Sequence, residues 1–243
     1  MPQYTLDLSI DATSLQIMKA AQLKITIAKP VGLSSPNVTW LVFDPFQGNK
    51  VQWEEQYSIY ASPNQVIQNG AVITRLSETD FPANDAAYYS FDSTATFQGP
   101  FTGSGAPPRG SYKAINNMPN TQYPALTFGL QQKASINSKG IDLSPLNAAV
   151  VPAMFPVTFT PLTTVYVWLQ ASYTSGTVIT QINGNATSVK FGGSVTEKSL
   201  VYDPATGIFI PSSAGNVTAL DSFAALASFD DPDVKILKQA GVY

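Results

Sequence analysis

The chain contains no cysteine and no histidine. The first absence excludes disulfides, thiolate metal sites, iron–sulfur clusters and thiol nucleophiles, and it leaves the redox compartment unreadable. The second removes Ser-His-Asp triads, imidazole-ligated metals and histidine general bases. Charge is scarce as well: Asp, Glu, Lys and Arg make up 12% of the residues, about half the usual share. Arg75 and Arg109 are the sole arginines and the formal net charge is −3. No basic stripe is therefore available to neutralise a row of phosphates, and nucleic acid is not an expected partner. No uninterrupted apolar run reaches the roughly 18 residues that a membrane-spanning helix needs. The opening segment MPQYTLDLSIDA carries Asp7 and Asp11 and lacks a basic region followed by an apolar one. Neither a secretory signal nor a transmembrane segment is expected, and the chain reads as soluble. Any catalysis left to it would run on carboxylates, tyrosine, lysine or an oxygen-liganded metal; no cofactor is expected.

What is present is apolar bulk with neutral polarity. Hydrophobic residues account for 44% of a 243-residue chain, and Ser, Thr, Asn and Gln supply most of the rest. Period-2 alternation dominates the beginning. Tyr4, Leu6, Leu8 and Ile10 face one way and Thr5, Asp7 and Ser9 the other, while Leu23, Ile25 and Ile27 alternate with Lys24 and Thr26; both segments read as strands with one wet face. Between them Thr13-Ser14-Leu15-Gln16 fits a capping box, which predicts a short helical turn through Met18 and Ala21. After a loop from Pro30 to Asn37, Val38 to Phe43 and Val51 to Ala61 flank the turn Asp44-Pro45-Phe46-Gln47-Gly48 and read as a hairpin. Leu200-Val201-Tyr202-Asp203-Pro204, with Gly207 and Ile210, repeats that string at the same spacings. Independent use of good turn chemistry explains the match better than duplication does.

Prolines and glycines cluster from Gln98 to Gly110, and residues 84–124 read as one long irregular loop segment, threaded with Phe97, Phe101, Tyr112 and Tyr123. Loops of that length in compact domains are functional or disordered, and aromatics argue against disorder. Strand patterning resumes at Ala125 to Leu130, Val157 to Thr160, Val165 to Ala171, Thr177 to Ile182, Ser188 to Phe191 and Ser199 to Tyr202. Val165 to Leu169 is apolar on both faces, as a covered central strand would be. Thr218-Ala219-Leu220-Asp221 and Asp231-Pro232 open two short helices. The fold class expected is mainly β, an antiparallel β-sandwich or sandwich-like arrangement, with short helices near the N-terminus and at the C-terminus. Residues 1–243 read as a single β-rich domain, the alternative being a two-lobed division near 125–150.

The segment from Val51 to Tyr60 holds the one local hint of acid chemistry. Alternation puts Val51, Trp53, Glu55, Tyr57 and Ile59 on one face, so a carboxylate sits among apolar neighbours. Left unpaired it would stay protonated, the state a general acid needs. A β-bulge at Glu54-Glu55 that turns both side chains to solvent is the expectation preferred here, with pairing to Lys or Arg as the other structural alternative. A glycosidase would need a second carboxylate some 5 to 10 Å away. Asp44 and Asp203 are explained by their turns, and Asp80, Asp85 and Asp92 by a polar loop that lacks calcium-loop spacing. Gly192-Gly193 reads as a turn, and the sequons at Asn37, Asn185 and Asn216 as chance in an Asn- and Thr-rich chain.

Aromatic residues are the remaining asset: 13 Phe, 11 Tyr and 3 Trp. A neutral sugar is recognised by a ring under its apolar face together with amide and hydroxyl partners, which this composition supplies without charge. The leading expectation is a lectin-like, non-enzymatic binding protein for carbohydrate or another neutral ligand, with Trp53, Glu54, Tyr57, Phe101, Tyr112, Asn116 and Tyr123 as ligand-binding residues. Trp40, Trp53 and Trp168 also fit strand positions where burial in the core is the simpler reading. Two alternatives come from other classes. A membrane-inserting β-protein would use Thr158 to Gln170 or Gly176 to Phe191 at a membrane surface. A self-assembling structural protein would take further copies of itself as partners.

Overall fold

The structure, a computed structural model, describes residues 3–32, 35–63, 68–182 and 186–212. In chain order it runs β1 (Gln3–Ser9), α1 (Ala12–Ala20), β2 (Lys24–Ala28), β3 (Leu41–Phe43), β4 (Gly48–Glu54), β5 (Ser58–Ser62) and β6 (Ser77–Glu78). There follow β7 (Ala87–Phe91), β8 (Phe97–Phe101), β9 (Tyr112–Asn116), β10 (Ala125–Ile136), β11 (Lys139–Pro145) and β12 (Ala149–Pro152). The described chain ends with β13 (Pro156–Phe159), β14 (Thr164–Gln170), β15 (Thr187–Lys190), β16 (Glu197–Asp203) and β17 (Ile208–Pro211). The protein is mainly β, as its alternation predicts. The helices expected after Thr218 lie outside the described residues.

Three sheets form. The largest has nine strands ordered β17-β16-β1-β4-β10-β5-β6, with β11 and β12 also paired to β10. The others are β13-β9-β7-β8 and β15-β14-β2-β3. Pairing is antiparallel except between β1 and β16 and between β7 and β9. One apolar cluster draws on all three sheets: Leu6, Leu8, Trp53 and Phe128 from the large sheet, Tyr89 and Phe91 from the second, Ile25, Ile27 and Val165 from the third. The Phe91 ring meets that of Phe128 edge-on at 5.6 Å, which seats the second sheet on the first. This sandwich-like layering follows from the sequence pattern, because each strand with one apolar row must bury it against another.

Several local expectations change. The helix is present, but Asp11 caps it, accepting from the backbone N–H groups of Thr13 and Ser14. An aspartate one residue before the first turn outcompetes the Thr13 hydroxyl as acceptor. The hairpin expected across Asp44 to Gly48 does not form: β3 pairs with β2, and β4 pairs with β1. The strand expected from Val51 to Ala61 is broken at Glu55, and its halves β4 and β5 pair separately with β10. The expected loop 84–124 contains β7, β8 and β9, because its prolines and glycines concentrate after Phe97 and leave alternating segments on either side. Residues 158–170 are divided between β13 and β14 of different sheets, so they do not form one continuous strand. Residues 177–182 make isolated bridges instead of a strand.

β14 is the covered central strand its sequence implies. Val165 and Val167 enter the main cluster, while Tyr166 and Trp168 pack with Ala28, Ile179 and Ala186 on the other face. β10 is buried through most of its length. Its Gly129 accommodates a close approach, since a Cβ there would lie 2.0 Å from the Asn147 carbonyl oxygen and 2.7 Å from the Tyr60 ring.

Candidate functional site

Three strand rows carry one polar residue each where an apolar one is due, and the three converge. In β2 the row Ile25, Ile27 continues to Lys29; in β10 the row Leu126, Phe128, Leu130 continues to Gln132; between β4 and β5 the row Val51, Trp53 continues to Glu55. Lys29 is fully buried. Its Nζ donates to Glu55 Oε1 at 2.7 Å and Oε2 at 2.9 Å, to the Tyr57 hydroxyl oxygen at 2.8 Å and to Gln132 Oε1 at 3.3 Å. The Tyr57 ring centroid lies 5.1 Å away and those of Trp40 and Trp53 both 6.0 Å, a cage of π faces around the cation. Glu55 also accepts from Trp53 Nε1 at 2.9 Å and from the Tyr57 hydroxyl. Its side chain is 19% exposed, so the cluster touches solvent at the carboxylate end.

The backbone explains why Glu55 points inward. The Gln56 N–H donates to the Glu54 carbonyl at 2.8 Å, a three-residue turn that lifts the chain off β10. Gln132 Nε2 donates to the same carbonyl at 2.6 Å, replacing the ladder bond lost there. The bulge expected to turn both glutamates outward is therefore replaced by a turn that leaves Glu54 exposed and pairs Glu55 with Lys29. A lone ammonium at that depth would cost several kcal/mol, and the carboxylate partner offsets it. Burial pulls the Lys29 pKa below its usual value, with the Glu55 charge opposing, and burial followed by that same charge holds Tyr57 well above the ordinary phenol range. Glu55 is therefore not an unpaired carboxyl: it is held by the Lys29 ammonium, the Trp53 indole N–H and the Tyr57 hydroxyl.

Of the residues expected to bind ligand, Trp53, Tyr57, Tyr112 and Asn116 are buried. Tyr112 packs edge-on against Tyr57 at 5.5 Å, inside the sandwich. Asn116 donates from Nδ2 to the Val151 carbonyl and accepts from the Met118 N–H, which makes it a brace between β9 and β12. Tyr123 is half-buried against the main cluster. Glu54 and Phe101 are exposed, and Phe101 alone of the expected set joins an open aromatic surface.

That surface is the outward face of β8-β7-β9-β13. Alternation turns Ala87, Tyr89 and Phe91 of β7 inward and leaves Tyr88 and Ser90 outside, while Lys113 and Ile115 do the same in β9. In β8 the pairing with β7 slips between Tyr88 and Ser90, so that Phe101 lies opposite Tyr88 and Gln98 opposite Ser90. Such bulges re-aim a side chain. Gly99 makes this one feasible, with φ +127° and a Cβ position only 3.0 Å from the Tyr88 carbonyl oxygen. The Tyr88 and Phe101 rings lie 5.2 Å apart at 33°, and Phe101 is 40% exposed. Asn117 Nδ2 donates to the Ser90 hydroxyl at 2.7 Å beside them. Lys113 Nζ donates to the Gly105 carbonyl at 2.7 Å and holds the Gly- and Pro-rich loop along the rim. Tyr88 and the bulge left no mark in composition; the alternation Ala-Tyr-Tyr-Ser-Phe was the available signal.

A groove lined by Asp7, Leu8, Ser9, Gly48, Asn49, Lys50 and Asn137 has a volume near 190 Å³, smaller than the roughly 300–1,000 Å³ of ordinary ligand pockets. Among the described residues no group of three or more acidic side chains is placed to hold a metal ion, and no helix is long and apolar enough to cross a membrane. Asn37, the described sequon asparagine, spends its amide within the fold, donating to the Ala148 carbonyl and accepting from the Ala148 N–H. No protein-family model, curated protein or solved structure matches the chain.

Proposed function

We propose that the protein is a non-enzymatic, lectin-like binding protein whose ligand, a carbohydrate or similarly hydroxyl-rich neutral molecule, docks on the outward face of the β8-β7-β9-β13 sheet. The observation that carries this reading is the Tyr88–Phe101 pair, two tilted rings side by side on an open sheet face. Rings in that setting offer an apolar platform for the C–H face of a sugar. Gln98, Ser90, Asn117 and Thr158 surround it with amides and hydroxyls that exchange hydrogen bonds with ligand hydroxyls, and Lys113 adds a cation to the same face. A flat platform of this kind suits a chain of sugar units better than an enclosed monosaccharide.

Titration calorimetry against neutral oligosaccharides, chosen from a glycan array, tests the proposal. Phe101→Ala and Tyr88→Ala are expected to weaken binding about tenfold each, the equivalent of about 1.4 kcal/mol. Both side chains lie on the solvent side of the sheet, so the folded state is expected to survive either change with little loss. Absence of binding to every glycan, or affinity indifferent to both substitutions, would sink the reading.

A further inference from the structure

The cluster brings an amine and a carboxamide, both fully buried, together with a carboxylate at its solvent edge. We propose that Lys29 and Gln132 become joined by an intramolecular amide bond, formed when Lys29 Nζ attacks the Gln132 carboxamide carbon, Glu55 carries the proton and ammonia leaves. This modification is independent of ligand binding on the outer sheet face.

Proximity is the first argument. Nζ lies 3.3 Å from Gln132 Oε1, so the carbonyl carbon, one C=O bond further, is at most about 4.5 Å away. Both strands that supply the reactants are anchored in the core, and a held pair of this kind reacts as if at very high concentration. The second argument is the protonation state. An ammonium cannot attack, and the Glu55 oxygen at 2.7 Å is placed to remove its proton. Burial already drives Lys29 toward the neutral amine, with the Glu55 charge opposing. The third argument is the leaving group: the Glu54 carbonyl fixes Gln132 Nε2, which orients the carboxamide with its oxygen toward Lys29.

The step balances without an oxidant, a reductant or a second substrate. Of the three ammonium protons one passes to Glu55 and leaves a neutral amine. Its lone pair forms the Nζ–Cδ bond as the carbonyl electrons move to Oε1. A second proton travels from the attacking nitrogen to Nε2 through the Glu55 carboxyl, with the Tyr57 hydroxyl, in contact with both Nζ and the carboxyl, extending the relay. The C=O bond re-forms, the Cδ–Nε2 bond breaks and ammonia departs. The third proton stays on the new amide nitrogen, and Glu55 ends protonated. The exposed edge of Glu55 marks the way out for ammonia. The product ties the end of β2 to the middle of β10 and so links the third sheet covalently to the large one.

Intact-mass spectrometry of the full, folded chain after incubation at neutral pH decides the matter. The expected result is a mass lower by one ammonia, with a branched peptide that joins the Lys29 and Gln132 segments after proteolysis. Glu55→Gln and Lys29→Arg are expected to keep the full mass. Because the reading is made on the unaltered protein, a variant that fails to fold does not obscure it. A full-mass wild-type chain would overturn the proposal. So would ammonia loss mapped elsewhere, loss of water with Lys29 joined to Glu55, or an undiminished cross-link in Glu55→Gln.

Discussion

Two stretches of the chain share the string Leu-Val-aromatic-Asp-Pro with a glycine three residues on, and they fold differently. Residues 200–210 close as a hairpin: β16 and β17 pair up to Asp203 opposite Ile208. Residues 41–51 open instead, sending β3 to one sheet and β4 to another. In the hairpin Asp203 organises the turn. Its carboxylate accepts from the Ala205 N–H and the Thr206 hydroxyl, its carbonyl accepts from the Gly207 N–H, and Gly207 takes φ +75°. In the open stretch the organiser is Asn49, which holds the Phe46 N–H and carbonyl and the Leu8 carbonyl. Gly48 there is an ordinary strand residue. Turn residues set what a loop can do; the residue after the glycine, Ile208 or Asn49, and the strand next door decide what it does.

Breaking the open stretch is expected to have the largest effect. Asn49→Ala strips partners from three backbone groups of β1 and the turn, and should cost about 2–3 kcal/mol, read as a lower urea midpoint at unchanged slope. A loss below about 0.5 kcal/mol, the range of featureless surface sites, would mean that strand pairing alone holds the turn. The glycines sharpen the contrast. Gly207→Ala forces a side chain into the left-handed region and should cost about 1–2 kcal/mol. At Gly48 an added Cβ meets nothing within 4 Å and no left-handed φ is needed, so Gly48→Ala should stay within about 0.5 kcal/mol. Equal costs for the two alanines would erase the distinction between the stretches.

How far the sequence could be read follows the same division between local pattern and distant partner. β1 was legible because Tyr4, Leu6 and Leu8 alternate with polar residues, and β14 because Val165 to Trp168 is apolar without a break. That β1 lies between β4 and β16 was not, since Leu200 reaches Leu8 only through the closure of the whole sheet. At the buried cluster, strict alternation pointed Glu55 inward but an outward bulge was preferred to it, and extending Leu23, Ile25, Ile27 by one step would have found Lys29. Their meeting depends on the stacking of two sheets, which no local pattern encodes. Tyr112 and Asn116 were expected to bind ligand from within an irregular loop segment. They are inside because β9 presents Lys113 and Ile115 outward, and Asn116 is tolerated there because its amide both donates and accepts a hydrogen bond within the fold. Phe101 reached the outer face through a bulge whose position depends on the pairing with β7.

The gentlest test of the two stretches is acid. Hydrogen bonds from the Thr206 hydroxyl and the Ala205 N–H hold the Asp203 carboxyl below the usual carboxylate range. A carboxyl with a lowered folded-state pKa stabilises the fold above its unfolded pKa, and that contribution disappears as pH falls through the folded-state value. The turn at Asp203 is therefore expected to loosen below about pH 4, seen as faster amide exchange at Ala205 and Gly207 after correction for the intrinsic pH dependence. The turn at Asp44 is held by the amide of Asn49, which does not titrate, and should keep its exchange protection at Phe46 over the same interval. Parallel loosening at both turns would show a global acid effect in place of the Asp203 carboxylate, and Asp203→Asn, which keeps an acceptor but removes the charge, separates the two by flattening the profile at Ala205 alone.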